Sequence, residues 1–296
     1  MLHQAAKNPV REMQNLVECQ NRDGGWPYRP GGPSWTEPAA YALLALRAHE
    51  PAADPAERAA GWLRATQRSD GGWAPAPAVR QSTWVSAVVV LLGPAILGEA
   101  SYRRAVAWLL DQTGEESSFL TRLRTFLAGN QIPPEQRFPG WPWFPGASAW
   151  VTPTALSMLA LKKAFRVDPS AAIGRRLQMG ASFLIRHACS DGGWNYGAPR
   201  ALGFEARSYP ETTGIALLAL HGIDSSEVRK ACELAKVQLA SCQSSEAESW
   251  LRLGLLAHRQ LPPDAPRPVR TPRTIQNAAL ALLASAAGQG HNIFLE

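Results

Sequence analysis

Two patterns of apolar positions alternate along the chain. One set of segments is amphipathic, with Arg, Glu and Gln on one face, and lies around residues 8–20, 56–68, 101–112, 174–188 and 227–242. The other set is apolar on nearly all faces and rich in Leu and Ala, and comprises residues 36–48, 83–93, 151–164, 211–223, 249–260 and 274–288. A helix that is apolar all round is enclosed by other helices, whereas an amphipathic helix covers one side of a core. The alternation predicts an all-α fold, an α/α toroid with about six inner and five to six outer helices, forming a single domain over residues 1–296.

An internal repeat sets the register of these helices. The tetrapeptide Asp-Gly-Gly-Trp recurs, with copies at residues 23–26, 70–73, 191–194 and, in degenerate form, 139–141. Residues 25–46 align without gaps with residues 140–161, and eleven of the 22 positions are identical. Self-similarity of this kind is the signature of stacked supersecondary units.

The loop residues predict how each outer helix ends and the next inner helix begins. A Gly pair suits the left-handed backbone at a helix C-terminus, and we expect the following Trp to fold back over that helix end. Pro38 and Pro153 suit the first turn of an inner helix, where the missing N–H is harmless. Side-chain caps for the inner helices are expected from Ser34, Thr83 and Ser208.

Two segments depart from the repeat. Residues 119–129 predict an additional helix that interrupts the regular spacing. Between Gln260 and Thr274 the chain is rich in proline, where a sixth outer helix would otherwise fall. Proline density excludes a helix there and predicts an extended strap across the open side of the ring.

Composition argues against several classes of partner. The chain carries 25 Arg and five Lys with a net charge of +6, but it has no Lys/Arg-rich run, so we expect no nucleic-acid binding. The four cysteines form no CxxC pair, and the His-Ala-Cys-Ser-Asp cluster at 187–191 matches no zinc spacing, so neither a metal nor a cofactor is expected. The N-terminal sequence lacks the apolar core of a signal peptide, which predicts a cytoplasmic protein.

One motif resembles that of a known superfamily. Gly61-Trp62-Leu63-x3-Gln67-x4-Gly72-Trp73 is similar to the Gln-Trp motif of the terpene cyclase and prenyltransferase-repeat proteins, and residues 16–26 form a looser copy. A third copy, residues 183–194, has Ala188 in place of the Gln. The resemblance implies an α/α barrel whose central cavity takes a hydrophobic small molecule, an isoprenoid. The squalene cyclases of this superfamily also imply peripheral contact with a membrane.

The catalytic motifs of these relatives are incomplete in this chain. Class II cyclases protonate an alkene with the middle Asp of an Asp-x-Asp-Asp motif, and the matching residues here are Tyr209, Pro210, Glu211 and Thr212. The resemblance therefore places Glu211 where the family has its acid, without the supporting aspartates. The zinc-binding set of the prenyltransferase β subunits is absent from the aligned helix starts.

Alignment of the inner helices predicts where chemistry would lie. One column reads Glu37, Trp84, Thr152, Glu211, Ser249 and Gln276, and the column two residues earlier reads Trp35, Ser82, Trp150, Tyr209, Ala247 and Thr274. In a closed ring these positions form one rim of the cavity. Their candidate catalytic residues are Glu211 and Glu37, and their candidate substrate-binding residues are Trp35, Trp84, Trp150, Tyr209 and Thr152. The alternative for the aromatic side chains is helix-end packing, and for the two glutamates a favourable place at helix N-termini.

Three functions stay open at this point. The first is a cyclase-like enzyme that processes an isoprenoid with Glu211 as acid or polar anchor. The second is a non-catalytic toroid that binds an isoprenoid or a partner protein. The third is a carbohydrate-acting α/α barrel, which needs two facing carboxylates, and Glu37 and Glu211 are the pair on offer.

Overall fold

The fold is taken from a computed structural model that describes residues 9–49, 53–117, 127–128, 138–197, 200–201, 204–262 and 271–296. Residues 119–126 and 129 of the expected extra helix, and most of the proline-rich strap, lie outside the described residues. The α-helices in chain order are α1 (Pro9–Glu18), α2 (Thr36–Ala48), α3 (Ala53–Ala65), α4 (Val85–Val90), α5 (Pro94–Leu97), α6 (Glu99–Asp111), α7 (Val151–Val167), α8 (Ala171–Arg186), α9 (Pro210–Ala219), α10 (Ser226–Ser241), α11 (Ser245–Ala257) and α12 (Ile275–Gly288). A 3₁₀ turn (Glu115–Ser117) and four two-residue strands complete them: β1 (Trp141–Pro142), β2 (Ala149–Trp150), β3 (Arg200–Ala201) and β4 (Phe204–Glu205).

The apolar helices close into a ring. Within the described part of the chain, each of α2, α4, α7, α9, α11 and α12 packs against the next, and α12 packs back against α2. We call these helices the inner ring. The amphipathic helices α1, α3, α6, α8 and α10 pack on its outside, so the predicted α/α toroid is confirmed.

The repeat tryptophans hold the two layers together. Each is buried, and each indole N–H donates to a carbonyl at the end of the preceding outer helix: Trp26 to Leu16 (2.8 Å), Trp73 to Leu63 (2.7 Å), Trp141 to Leu109 (2.8 Å) and Trp194 to Leu184 (2.6 Å). The last carbonyls of a helix have no partner within it, and each of these four accepts the indole N–H in addition to a bond from the residues that follow the helix.

The aligned repeats also share their loop geometry. Trp26 forms an antiparallel bridge with Trp35, and Trp141 forms the same bridge with Trp150, where β1 pairs with β2. The first glycine of each Gly-Gly pair has a left-handed backbone that other residues avoid. Gly71, for example, has φ of 95°, and a Cβ on it would lie 2.6 Å from the carbonyl oxygen of Arg104.

The predicted side-chain caps are wrong. Ser34 Oγ donates to Asp23 Oδ1 (2.7 Å) and Ser208 Oγ donates to Asp191 Oδ2 (2.9 Å), so both serines tie the loop to the repeat aspartate and neither caps a helix. Thr83 lies before α4, which begins without a side-chain cap. The reason is that the repeat Asp already accepts the N–H two residues after it, and the serine completes that turn.

The closest approach within the ring is between α9 and α11. Gly214 and Gly254 face each other there, and a Cβ on Gly214 would lie 2.3 Å from the backbone carbon of Trp250. Any side chain at Gly214 would therefore push the two helices apart.

This contact generates a stability prediction. Gly214→Ala is expected to lower the free energy of unfolding by about 2–3 kcal/mol, because overpacking a tight contact costs that much. Gly61→Ala is the matched control, since Gly61 lies inside α3 and the nearest atom to its added Cβ is 4.0 Å away. The control should gain about 0.5–1 kcal/mol. Urea unfolding midpoints of both variants test this, and equal effects of the two substitutions would contradict it.

Candidate functional site in the central cavity

The first turns of the inner helices enclose a cavity of about 240 Å³. Its mouth is formed by the second residue of five of these described helices and by the residue before α4: Glu37, Trp84, Thr152, Glu211, Glu246 and Gln276. The floor is formed one helical turn deeper by Tyr41, Leu156, Ile215 and Trp250. Trp143 and Tyr196 contribute from the loops. Equivalent positions of successive repeats therefore meet around one space.

The sequence alignment placed one of these helices wrongly. Ser249 was aligned with Glu211, but α11 begins at Ser245, four residues before the predicted start. Ser244 caps this helix, since its hydroxyl oxygen accepts a hydrogen bond from the N–H of Ala247 (3.3 Å). Ser249 is buried, and its hydroxyl donates to the carbonyl oxygen of Ser245 (2.7 Å). The correct member of the cavity column is Glu246.

Two glutamates of the mouth are each bound by a tyrosine from the loop of their own repeat. Tyr28 donates its hydroxyl to Glu37 Oε2, and Tyr196 donates to Glu211 Oε1 at 2.6 Å. Both tyrosines lie two residues after a repeat tryptophan, so the repeat produces the same pair twice. The two pairs differ in burial. In the first pair Glu37 is 8% exposed, whereas in the second pair Tyr196, the partner of Glu211, is 40% exposed.

Burial changes the acidity of Glu37. Removal from water raises the pKa of its carboxyl to about 7, against the hydrogen bond from Tyr28, and the neighbouring Glu246 raises it further. Gln276 Nε2 also donates to Glu37 Oε1 at 2.6 Å and favours the charged form. The result is a carboxyl group that is partly protonated at neutral pH and has two hydrogen-bond donors aimed at it.

Glu246 is the third carboxylate of the cavity. Burial raises its pKa too, and Glu211 adds to the shift, while the amide of Asn277 donates to Glu246 Oε2 at 3.1 Å and opposes it. Glu246 therefore interacts electrostatically with both Glu37 and Glu211.

The other side of the mouth is aromatic. Trp84 and Trp143 meet edge to face, with ring centroids 4.9 Å apart and an interplanar angle of 87°. Trp84 is the residue before α4, and Trp143 lies in the loop before α7. We call this pair the aromatic wall.

The predicted site residues fall into two groups. Glu37, Glu211, Trp84 and Thr152 line the cavity together. Trp35, Trp150 and Tyr209 are not among its lining residues; they occupy the N-cap positions of α2, α7 and α9, where the backbone is extended. Trp150 and Tyr209 are 37% and 49% exposed. A role of any of these residues in substrate binding stays a prediction.

Sequence reasoning missed several cavity residues. Glu246 could have been found from the Ser-Ser-Glu-Ala-Glu sequence at 244–248, because a serine cap followed by acidic residues marks a helix start. Tyr28, Trp143 and Tyr196 share one repeat position, two residues after the repeat tryptophan, which is a usable signal. Trp250 had no such signal, because its position on the floor depends on how α11 is rotated in the ring.

Other features of the described residues bear on the function classes. No group of three or more His, Cys, Asp or Glu side chains in the described ranges could hold a metal ion. None of the helices described is long and apolar enough to cross a membrane. His221 and His258 end α9 and α11 and bind each other's helix, His221 Nδ1 to Ala257 O and His258 Nε2 to Leu217 O, both at 2.8 Å.

Comparisons with known proteins give structural likeness only. No family model matches the sequence, and no curated protein matches it. Among solved structures, an inactive variant of an α-1,6-mannanase from Salegentibacter in complex with α-1,6-mannotriose aligns with a TM-score of 0.62 at 8% identity, covering 98% of this chain and 100% of that one. A protein from Actinoplanes aligns with a TM-score of 0.59 at 16% identity, covering 95% and 98%.

A third solved structure is the type II terpene cyclase MstE from Scytonema. It aligns with a TM-score of 0.56 at 17% identity, covering 97% of this chain and 77% of that one. Likeness at these identities shows a shared toroid and does not distinguish isoprenoid from carbohydrate chemistry.

The buried Glu37 generates a pH prediction. Between pH 4.5 and 7 the unfolded chain releases this proton while the folded protein keeps it, so the free energy of unfolding falls as pH rises through this window. The stability present below pH 4.5 is lost above pH 7, and the loss is on the order of 3 kcal/mol. Glu37→Gln removes the titration, so the variant should gain stability relative to the wild type between pH 5 and pH 8.

Chemical unfolding of wild type and Glu37→Gln at pH 5 and at pH 8 measures this difference in the free energy of unfolding. Glu233→Gln is the control, because that carboxylate is exposed on α10, and its pH profile should run parallel to the wild type. A parallel profile for Glu37→Gln would show that Glu37 does not titrate as described.

Proposed function

We propose that the protein is a cyclase-like enzyme that protonates a short isoprenoid inside the central cavity, with Glu37 as the acid. The observation that carries the proposal is a buried carboxyl group whose pKa is raised to about 7 and that lines a cavity with aromatic side chains. The toroid shared with a type II terpene cyclase supports the class of reaction, at the level of the fold.

Glu37 is the buried glutamate of the pair, and burial raises its pKa to about 7, so part of the population carries a proton at neutral pH. After transfer, the carboxylate left behind is stabilised by the hydroxyl of Tyr28 and the amide of Gln276, which already point at its oxygens. Glu211 lies at the partly exposed side of the mouth and suits an anchoring role.

The proposed reaction is an isomerisation. The Glu37 O–H bond breaks as its proton forms a C–H bond on one alkene carbon, leaving a carbocation on the other. The π electrons of a second alkene then form a C–C bond to that carbon. Loss of a proton from a neighbouring carbon to water or to the Glu246 carboxylate forms the final double bond, and Glu37 recovers a proton from solvent. The faces of Trp84 and Trp143 are the groups suited to stabilise the cation.

The size of the cavity points to a short chain. Its volume of about 240 Å³ lies below the roughly 300–1,000 Å³ of pockets for drug-sized ligands. The floor of Leu156, Ile215, Tyr41 and Trp250 offers an apolar surface to a hydrocarbon. We therefore expect geraniol or farnesol to fit and squalene to be excluded.

Turnover assays test the proposal. Geraniol, farnesol and squalene are incubated separately with the purified protein, and products are identified by gas chromatography with mass spectrometry. We expect a cyclic isomer from one of the short substrates and none from squalene. Glu37→Gln should lower kcat by about 10²–10⁴-fold, since general acid catalysis contributes that much.

The control variant is Glu233→Gln, which should retain full activity. Unchanged substrates in all incubations, or equal turnover by wild type and Glu37→Gln, would refute the proposed function. Binding of a short isoprenoid without turnover would instead support a non-catalytic toroid.

A second candidate function is glycoside hydrolysis. It is favoured by one specific arrangement: Glu37 on α2 and Glu211 on α9 lie three places apart in the inner ring, and only the first is deeply buried. A buried acid facing a more accessible carboxylate is the pattern of glycosidases. The mannanase likeness adds support at the level of the fold. Against it, the floor offers a sugar few polar partners beyond the Tyr41 hydroxyl and the Trp250 indole N–H, and unpaired hydroxyls are costly to bury.

Incubation with α-1,6-mannooligosaccharides distinguishes the two candidates. Release of mannose, abolished by both Glu37→Gln and Glu211→Gln, would favour the hydrolase. No release, together with isomerisation of a short isoprenoid, would favour the cyclase.

A further inference from the structure

The carboxylates of the cavity are not spread evenly around its mouth. Going around the inner ring, α9 contributes Glu211, α11 contributes Glu246, α12 contributes Gln276 and α2 contributes Glu37. The remaining helices, α4 and α7, contribute Trp84 and Thr152. One side of the cavity is thus acidic, and we call Glu211 and Glu246 the acidic arc, because Glu37 is engaged by Tyr28 and Gln276.

The aromatic wall lies across from this arc. Helix α4 is three places from α11 in either direction around the ring, so Trp84 and Glu246 occupy opposite positions of the mouth. Aromatic faces attract cations, and carboxylates attract them from the other side. A cation in the cavity would therefore meet favourable groups on both sides.

No compensating positive side chain lines the cavity within the described ranges. Lys, Arg and His are absent from the lining residues. The loops before the inner helices carry the described arginines Arg29, Arg80, Arg207 and Arg273, and all four are exposed. The helix N-termini around the mouth favour anions, but this effect is worth about 0.3–1 kcal/mol each and falls off within the first turn. On α9 and α11, Glu211 and Glu246 lie in the first turn and already complement it.

We propose that the cavity selects the head group of its ligand: it prefers a short isoprenoid carrying a protonated amine and disfavours a prenyl diphosphate. Glu211 and Glu246 bind the ammonium group, and the hydrocarbon packs on Ile215, Leu156 and the aromatic wall. The proposal rests on the isoprenoid site proposed above and names the substrate class within it.

Different burial separates the proposed ammonium-binding role of Glu211 from the proposed proton-donor role of Glu37. Glu211 is at the partly exposed side of the mouth, where an ammonium group can reach it without full loss of water, and Tyr196 orients it through one oxygen at 2.6 Å. Glu246 is held through one oxygen by Asn277 at 3.1 Å. Each carboxylate thus has a second oxygen for which no bond within the described residues is shown.

Binding of a matched ligand series tests the head-group preference. Geranylamine, geraniol and geranyl diphosphate share one hydrocarbon and differ in charge, and their dissociation constants are measured by isothermal titration calorimetry at pH 7 below the micelle concentration. We expect geranylamine to bind about tenfold more tightly than geraniol, as for a partly exposed ion pair with a cation–π contact. Geranyl diphosphate should bind more weakly than geraniol, and added salt should weaken only the amine.

Variants assign the effect to the acidic arc. In the double variant Glu211→Gln with Glu246→Gln, geranylamine should lose its advantage, while the affinity for geraniol stays within about twofold, since the apolar contacts are unchanged. Glu233→Gln, on the outer surface, is the matched control and should bind like the wild type. Unfolding midpoints of the variants, and the retained affinity of the double variant for geraniol, separate loss of binding from loss of folding.

Two results would overturn the proposal: equal affinity for amine and alcohol, or tighter binding of the diphosphate. Retained amine preference in the double variant would also overturn it. The proposed function fails on different grounds. Amine-selective binding without any turnover would support this inference and refute the proposed enzyme activity. Turnover of geraniol or farnesol without amine preference would support the proposed enzyme activity and refute this inference.

Discussion

The hydrogen bond from each repeat tryptophan to the end of an outer helix is the interaction on which the rest of the structure depends. A helix C-terminus buried against other helices leaves carbonyl groups without partners. The indole of Trp26, Trp73, Trp141 or Trp194 supplies a donor to one of them and fills the space between layers. The same bond recurs at the same point of the four repeats that precede α2, α4, α7 and α9, and the first turns of the inner helices lie level around one cavity.

Level helix starts have a chemical consequence. The second residues of the inner helices meet around one cavity, so a repeat that carries a glutamate there delivers a carboxylate to a shared space. The first turn of a helix favours negative charge, which lowers the cost of bringing Glu37, Glu211 and Glu246 together. The tyrosine two residues after the repeat tryptophan then binds the glutamate of its own unit, as Tyr28 and Tyr196 do.

Equivalent repeat positions nevertheless have different chemistry. Glu37 and Glu211 share a register and a tyrosine partner, but Glu37 is covered where the last inner helix meets the first. Gln276 reaches it from a sequence distance of 239 residues, and the loss of water raises its pKa to about 7. Closing the ring thus buries one of two similar carboxyl groups and raises its pKa, and it leaves the other accessible at the mouth.

The toroid could be predicted from the sequence alone, because helical periodicity and the Gly-Gly-Trp loops are local signals that repeat. The same signals put Glu37, Trp84, Thr152 and Glu211 in one column, since register along a helix follows from counting. The alignment put Ser249 in that column, whereas the structure puts Glu246 there, because α11 begins four residues earlier at a serine cap that the sequence already carries. Which loop side chains line the cavity depended on the tertiary structure, and Trp35, Trp150 and Tyr209 are not among them. Burial and pKa depend on which helices enclose a side chain, and that depends on ring closure between segments far apart in the chain.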